Sequence, residues 1–501
     1  MSRKKLHDSL SQRIFKGSLT VIFFTAFTSP LAYLIKILYS RTLSMEAFGL
    51  FYAVLALFLS LSSYVDLGFG CSLVYFTPKY LKKKDYQTCW NLYRYTQIIG
   101  LATSLPMSFL VIIMAKWLSL YYFKFPGAEK VLYIFVFYLI TGSLLSALQN
   151  FFTGLQQEKH YATIQSIRTL FTLIFSLIVL LMGKTNITYY ASCWVVAIIF
   201  VLGFYSYILK KGNSFLFKKT VWDKKLFMSM LRYALPSLST SIIYIFVSSE
   251  IIFLTLLKGV REVGIYSVIL PIATMSSIIL TPINTFLFPL ISHLMEKQKE
   301  KIIQLLQEAL KIIPFIGFYF ALFITLFPNQ PVQILFGSQW VNDTRLPLVI
   351  FSLGYVGYQI SNLLSTIVVG IGRIKDRFHS SIILAVINIP LSFVLISRYS
   401  VTGATIISSL ISIISILLNT AIVRKTIPFN FPFSYYLKLI LVGILAHFVV
   451  ITFKLNPQGL TEYIFYGINY TILFLLSGHL LRLFDKNMLK SLLKIKSPNG
   501  L

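Results

Sequence analysis

The sequence predicts an all-α polytopic membrane protein. It should have about fourteen transmembrane helices: two pseudo-symmetric six-helix lobes around a central cavity, then two C-terminal helices. Three observations predict this. The 501 residues are 56% hydrophobic and only 12% charged, with a mean hydropathy of +0.77, and a globular core needs no such depletion of charge. Fourteen apolar runs recur along the chain, most near the roughly 20 residues that cross a bilayer as a helix. Finally, the chain echoes itself at an offset of about 215 residues. Glu46-Ala47-Phe48-Gly49-Leu50 returns near Glu262-Val263-Gly264-Ile265-Tyr266, and the Leu81–Asp85 segment returns as Glu296–Glu300.

The first run, 18–39, holds Pro30 and Lys36. It is of full spanning length, so it is expected to stay as a helix and not be removed as a leader. The second, 47–77, is unusually long and carries Asp66 just before Leu67-Gly68-Phe69-Gly70. The glycines are expected to loosen the helix there and expose backbone carbonyls. Runs 92–115, 131–155, 161–182 and 187–209 complete the first copy, with Arg168 a turn or two into the fifth. Residues 210–232, the richest basic segment, link the copies.

The second copy starts with 233–257, which carries Glu250, and continues through 263–292, 310–327, 346–370, 379–397 and 401–423. Pro106, Pro271, Pro282, Pro314 and Pro390 lie inside runs, where each removes a helix hydrogen bond and permits a kink. Asn284, Gln359, Asn362 and Asn388 are expected to bond between helices, with contact to sugar hydroxyls as the competing use. The last runs, 435–453 and 461–481, fall outside the repeat and hold His447 and His479 as satisfied interior or interface residues. The expected domains are therefore an N-lobe 1–209, a cytoplasmic linker 210–232, a C-lobe 233–425, and a terminal pair with a basic tail, 426–501.

Charge sets the orientation. With the N-terminus placed in the cytoplasm, 34 of the 45 Lys and Arg fall in inner segments and 10 in outer loops, with Lys36 inside a run. That bias expects both termini to be cytoplasmic and the protein to sit in the cytoplasmic (inner) membrane. The net charge of +29 is thus a loop property and does not point to nucleic acid. Cys71, Cys89 and Cys193 show no metal or redox spacing. Gly183-Lys184-Thr185 resembles the end of a phosphate-binding loop, but Ile178 stands where its first glycine belongs. No catalytic residue, metal or cofactor is expected. Tyr121-Tyr122, Tyr189-Tyr190 and Tyr435-Tyr436 sit near run ends and read as interface belts.

Several short motifs occur in a telling order. Glu46, Phe48, Gly49 and Phe51 open the second run; Arg232, Ala234 and Pro236 open the seventh; Val263, Gly264 and Tyr266 open the eighth, which ends Pro289-Leu290-Ile291-Ser292. Leu335-Phe336-Gly337 with Trp340, and Gly370, Gly372, Arg373 and Lys375, follow. Together they resemble the polysaccharide-transport branch of the multidrug/oligosaccharidyl-lipid/polysaccharide exporter superfamily, above all its O-antigen and lipid-linked oligosaccharide flippases. The resemblance covers nearly the whole chain. It implies alternating access and export of a polyprenyl-(pyro)phosphate-linked oligosaccharide to the outer leaflet. It also implies a monomer among membrane lipids, working beside glycan assembly enzymes.

Within that reading, ionisable residues inside runs mark candidate sites, because a charge in the bilayer interior is costly. Lys36 and Glu250 are near-equivalent in the repeat. Lys36 is expected to attract the pyrophosphate, with Glu250 as counter-charge or as a site for a coupling proton or sodium ion. Snorkelling is the competing use of Lys36. Asp66 is expected either to couple an ion or to cap a helix break. Arg168 and Arg232 are placed to meet a phosphate headgroup at the inner side, or to anchor the inner interface. An ion-coupled exporter of organic cations or drugs is the alternative reading, and a membrane glycan polymerase the weaker third. The sparse intramembrane acids disfavour the former and the short outer loops disfavour the latter.

Overall fold

The computed structural model describes residues 23–24, 26–247, 249–294, 299–452, 457, 459–481 and 483. Among them every regular element is a helix. In order they are α1 (26–42), α2 (Met45–Val65), α3 (Phe69–Lys82), α4 (Tyr86–Trp117), α5 (Ala128–Gly154), α6 (Glu158–Leu181), α7 (Ile187–Gly212), α8 (Lys224–Val247) and α9 (Glu250–Leu257). Then come α10 (Val260–Ala273), α11 (Ser277–Leu294), α12 (Lys299–Leu326), α13 (Asn329–Phe336), α14 (Val341–Gly370), α15 (Ile374–Arg424), α16 (Phe433–Thr452) and α17 (Leu460–Leu480).

These helices account for the fourteen runs. Three runs are each split in two: the second into α2 and α3, the seventh into α8 and α9, the eighth into α10 and α11. The eleventh and twelfth share α15, which doubles back at Ser400, a non-glycine residue with φ 52°. The turn is tight enough that a Cβ on Gly403 would overlap the Leu395 carbonyl, so only glycine fits there. The short α13 lies in an expected outer loop and was not anticipated.

The chain forms two compact units, residues 1–264 and 265–501. In the first, α5 is central and packs on α2, α3, α4, α6 and α7. Its apolar residues are spread around the helix, with the polar Gln149 and Asn150 near its C-terminal end. Its Phe135 is fully buried against the rings of Phe51 and Phe58. A polar node ties α1, α6 and α7 together: the Tyr39 hydroxyl bonds Ser176 Oγ at 2.8 Å and accepts from Trp194 Nε1 at 3.2 Å. Thr28 Oγ1 and Ser166 Oγ, at 2.6 Å, make a second contact between α1 and α6. The pairings 28 with 166 and 39 with 176 set these two helices side by side and parallel.

In the second unit, α14 packs on α15 and on α11 and α12. Small polar residues let the helices approach, as is usual within a bilayer. Ser361 and Ser415 bond at 2.5 Å, and Asn419 donates to Ser365 and Ser415 at 3.0 and 3.1 Å. The terminal pair docks on α12. Tyr436 donates to the Leu310 carbonyl, Tyr470 to the Tyr319 carbonyl, and Tyr319 bonds Thr471. His447 bonds the Gly443 carbonyl within α16, as a satisfied histidine should.

The tyrosine pairs divide their duties. Tyr121 and Tyr189 are exposed while their neighbours Tyr122 and Tyr190 are buried. Consecutive helical residues point about 100° apart, so a pair at a run end places one ring outward and one in the core.

Candidate membrane transport site

The candidate residues described best all lie in the first unit, on α1, α6, α8, α9 and the break between α2 and α3. That break is built by Asp66. Its Oδ1 accepts from the Gly68 amide at 2.9 Å and its Oδ2 from the Gly70 amide at 3.1 Å. Leu67 and Gly68 take positive φ, 47° and 80°, which turns the chain out of α2 and into α3. A Cβ on Gly68 would overlap the Ala234 carbonyl of α8, so the break is pressed against that helix. Ser72 adds a 2.8 Å bond to the Met230 carbonyl, again across to α8. Thr103 on α4 donates to the Val65 carbonyl, one of the groups freed where α2 ends. Both oxygens of Asp66 are thus engaged by backbone amides.

Lys36 is half-buried on α1, and its Nζ stands 4.7 Å from the centre of the Tyr52 ring on α2. Tyr52 is itself fixed by Phe48 and Phe51 at 4.8 and 5.3 Å. The aromatic face offers a bound cation partial compensation for lost water. Among the described residues no carboxylate pairs with Lys36.

Glu250 is half-buried in the first turn of α9, directly after the buried Ser249. A carboxylate is favoured at a helix N-terminus by the free amides there. Helix α9 packs on α2, as Lys36 does through Tyr52. Lys36 and the helix that carries Glu250 therefore both neighbour α2.

Arg168 is half-buried on α6, and among the described residues its guanidinium makes no ion pair or hydrogen bond. Arg232 is exposed on α8 beside an aromatic group that the sequence reading missed. Tyr233 stacks on Tyr75 of α3 at 4.3 Å and 14°, and Lys79 Nζ sits 3.6 Å from the Tyr75 ring centre.

The helix breaks are also features the sequence showed only in part. Asp66 and the glycines marked the first. Pro271, three residues before the α10–α11 break, marked the third. The second falls at the serine pair 248–249, of which Ser248 lies outside the described residues; Ser-rich turns that compete for backbone bonds were the available signal. Discontinuous membrane helices recur where transporters hold substrates and ions.

The family model of the polysaccharide biosynthesis proteins matches residues 14–295, more than half of the chain. The chain belongs to the polysaccharide biosynthesis protein family. A second family model, that of the lipid II flippase MurJ, matches residues 225–472. The uncharacterized membrane protein MJ1068 of Methanocaldococcus jannaschii is 24% identical over 443 residues, covering 85% of this chain and 87% of that protein. Two solved structures share the fold. One is lipid II flippase MurJ in an inward closed conformation, with TM-score 0.72 and 16% identity, over 93% of this chain and 98% of that one. The other is a multidrug resistance MATE family transporter of the MOP superfamily in an inward-facing conformation, with TM-score 0.64 and 15% identity, over 79% and 96%. Family and fold agree with the branch that the sequence motifs resemble, and they class this polysaccharide biosynthesis protein as a multi-pass membrane flippase or exporter.

Proposed function

We propose that the protein moves a polyprenyl-(pyro)phosphate-linked oligosaccharide repeat unit from the inner to the outer leaflet of the cytoplasmic membrane by alternating access. The moving parts in this reading are the N-lobe 1–209 and the C-lobe 233–425, joined by the 210–232 linker, with 426–501 appended and both termini cytoplasmic. Lys36 attracts the pyrophosphate in the cavity, and Arg168 and Arg232 receive it on the inner side. Glu250, in the first turn of α9, is the coupling residue in this reading, while Asp66 holds the Gly68 and Gly70 amides.

The observation that supports an anionic cargo best is Lys36 itself. An ammonium half-buried between two membrane helices, with a ring beside it and no carboxylate pairing with it among the described residues, keeps a net positive charge available to a phosphate. The test is depletion of the protein in its host: a lipid-linked glycan should accumulate on the inner leaflet. Unchanged leaflet distribution defeats the reading. The MATE-like fold keeps one rival in view, export of organic cations coupled to an ion. In that rival reading Glu250 serves the coupled ion, so loss of cation efflux in Glu250→Gln with intact glycan export would favour it.

A further inference from the structure

One polar group on α5 has no evident structural use. Gln149 is nine-tenths buried, and its Nε2 has no hydrogen-bond partner. Gln165 on α6 reaches it from the other side, its Nε2 lying 3.5 Å from Gln149 Oε1, a long hydrogen bond. With the oxygen taken, what Gln149 presents is a pair of N–H groups. A buried donor left without an acceptor is unfavourable, and natural structures rarely keep one without use.

Arg168 lies three residues beyond Gln165. Side chains at that spacing share a helix face, with Cβ atoms about 5–6 Å apart. Its guanidinium carries only donors and a permanent charge, and among the described residues nothing neutralises it. The α5–α6 contact thus gathers two unused donor groups, one of them cationic, where helices α5 and α6 pack together. A sugar hydroxyl would want acceptors as well as donors. A phosphate ester oxygen, which only accepts and carries negative charge, suits the set better.

The register of α1 along α6 adds a direction. Because residue 28 lies beside 166 and residue 39 beside 176, Lys36 stands level with about residue 173 of α6. Arg168 is thus roughly five residues, or about 8 Å, nearer the Glu158 end. That is the inner end in the orientation read from the basic loops.

We propose that Gln149 and Arg168, oriented by Gln165, form an anion subsite that receives a phosphate of the translocated lipid before it reaches Lys36. This rests on the lipid-linked glycan reading above. The same chemistry would also hold the headgroup of an anionic phospholipid, and the test separates the two sources.

Full-length protein in detergent is titrated with sugar-free polyprenyl pyrophosphate and, separately, with phosphatidylglycerol, and occupancy is read by native mass spectrometry. Gln149→Glu puts a negative charge where the donors were, and Arg168→Gln removes the cation. Each should weaken polyprenyl pyrophosphate binding at least fivefold with phosphatidylglycerol unaffected, whereas Gln165→Leu, which only frees Gln149 to turn, should cost less. A thermal midpoint within a degree or two of wild type separates this from misfolding, and Arg168→Gln at its half-exposed position carries the test if Gln149→Glu does not fold. Wild-type binding that both variants retain within twofold overturns the subsite and leaves the transport reading standing. Absence of polyprenyl pyrophosphate binding, with phosphatidylglycerol lost in both variants, keeps the subsite, assigns it to phospholipid and counts against the cargo. No variant effect on either probe overturns the subsite outright.

Discussion

Asp66 offers the sharpest separation between a coupling residue and a structural one. Its two oxygens hold the Gly68 and Gly70 amides at 2.9 and 3.1 Å, the free donors at the start of α3. Hydrogen bonds to a charged group contribute about 1.5–3 kcal/mol each, and capping substitutions about 0.5–2 kcal/mol. Two such bonds at a half-buried site suggest that Asp66→Ala destabilises the protein by about 2–4 kcal/mol. Asp66→Asn keeps one acceptor oxygen and should cost about half of that. Thermal unfolding in detergent reads the first effect, and glycan export at matched abundance reads the second. A capping role predicts a graded fall in the thermal midpoint, Ala below Asn below wild type, with export by Asp66→Asn retained. A coupling role predicts the reverse, a normal midpoint with export abolished in Asp66→Asn. An unshifted midpoint for Asp66→Ala refutes the capping argument.

Other perturbations follow from the same geometry. Lys36→Ala should abolish most export while lowering stability by no more than about 1–2 kcal/mol, the scale of one cation–π contact, and unchanged export in a flux assay removes Lys36 from the cargo path. Glu250→Gln should leave the thermal midpoint near wild type but erase the response of export to an imposed proton or sodium gradient; a retained response assigns coupling elsewhere. Gly68→Val combines a positive φ of 80° with an overlap on the Ala234 carbonyl, so it should destabilise by about 2 kcal/mol or more, visible as a lowered midpoint or failed expression. Asn419→Leu breaks one α14–α15 bond, to Ser365, and one bond within α15, to Ser415, yet interhelical bonds in membranes average only about 0.6 kcal/mol, so a fall in midpoint of many degrees would contradict the ladder's modest standing.

The helices were legible because hydrophobic length is a local property and the bilayer enforces it. Runs one to fourteen could be read without knowing what touches what. The long second run even announced its own interruption, through an acid followed by two glycines. What escaped was anything that depends on a partner. Tyr52 looked like any other apolar-run tyrosine until α1 placed Lys36 on its ring. Gln149 and Gln165 are sixteen residues apart across a turn, and neither carries a charge to draw notice. The break at the serine pair 248–249 had weak local chemistry, since serine only mildly prefers backbone bonds of its own over a helix.

Duplication explains why shape was easier to read than chemistry. Runs two and eight are equivalents in the repeat, and both are broken, one after Val65 and the other after Ala273. The means differ. The first break is capped by a carboxylate. The second closes on itself through short-range backbone bonds, Ser277 to Thr274 at 2.9 Å and Ile279 to Ser276 at 3.1 Å, just after Pro271. At the offset of about 215, Val65 corresponds to Leu280 and Asp66 to Thr281, both inside α11, so neither the acid nor the place of the interruption was copied, only the presence of one. In the reading proposed above, an interruption in each copy would let both bend during alternating access. A cargo bearing phosphate at one end needs the opposite, a cavity whose charges are unequal. In the transport reading proposed above, Lys36 of one copy and Glu250 of the other would supply that inequality, which no argument from the fold alone reveals.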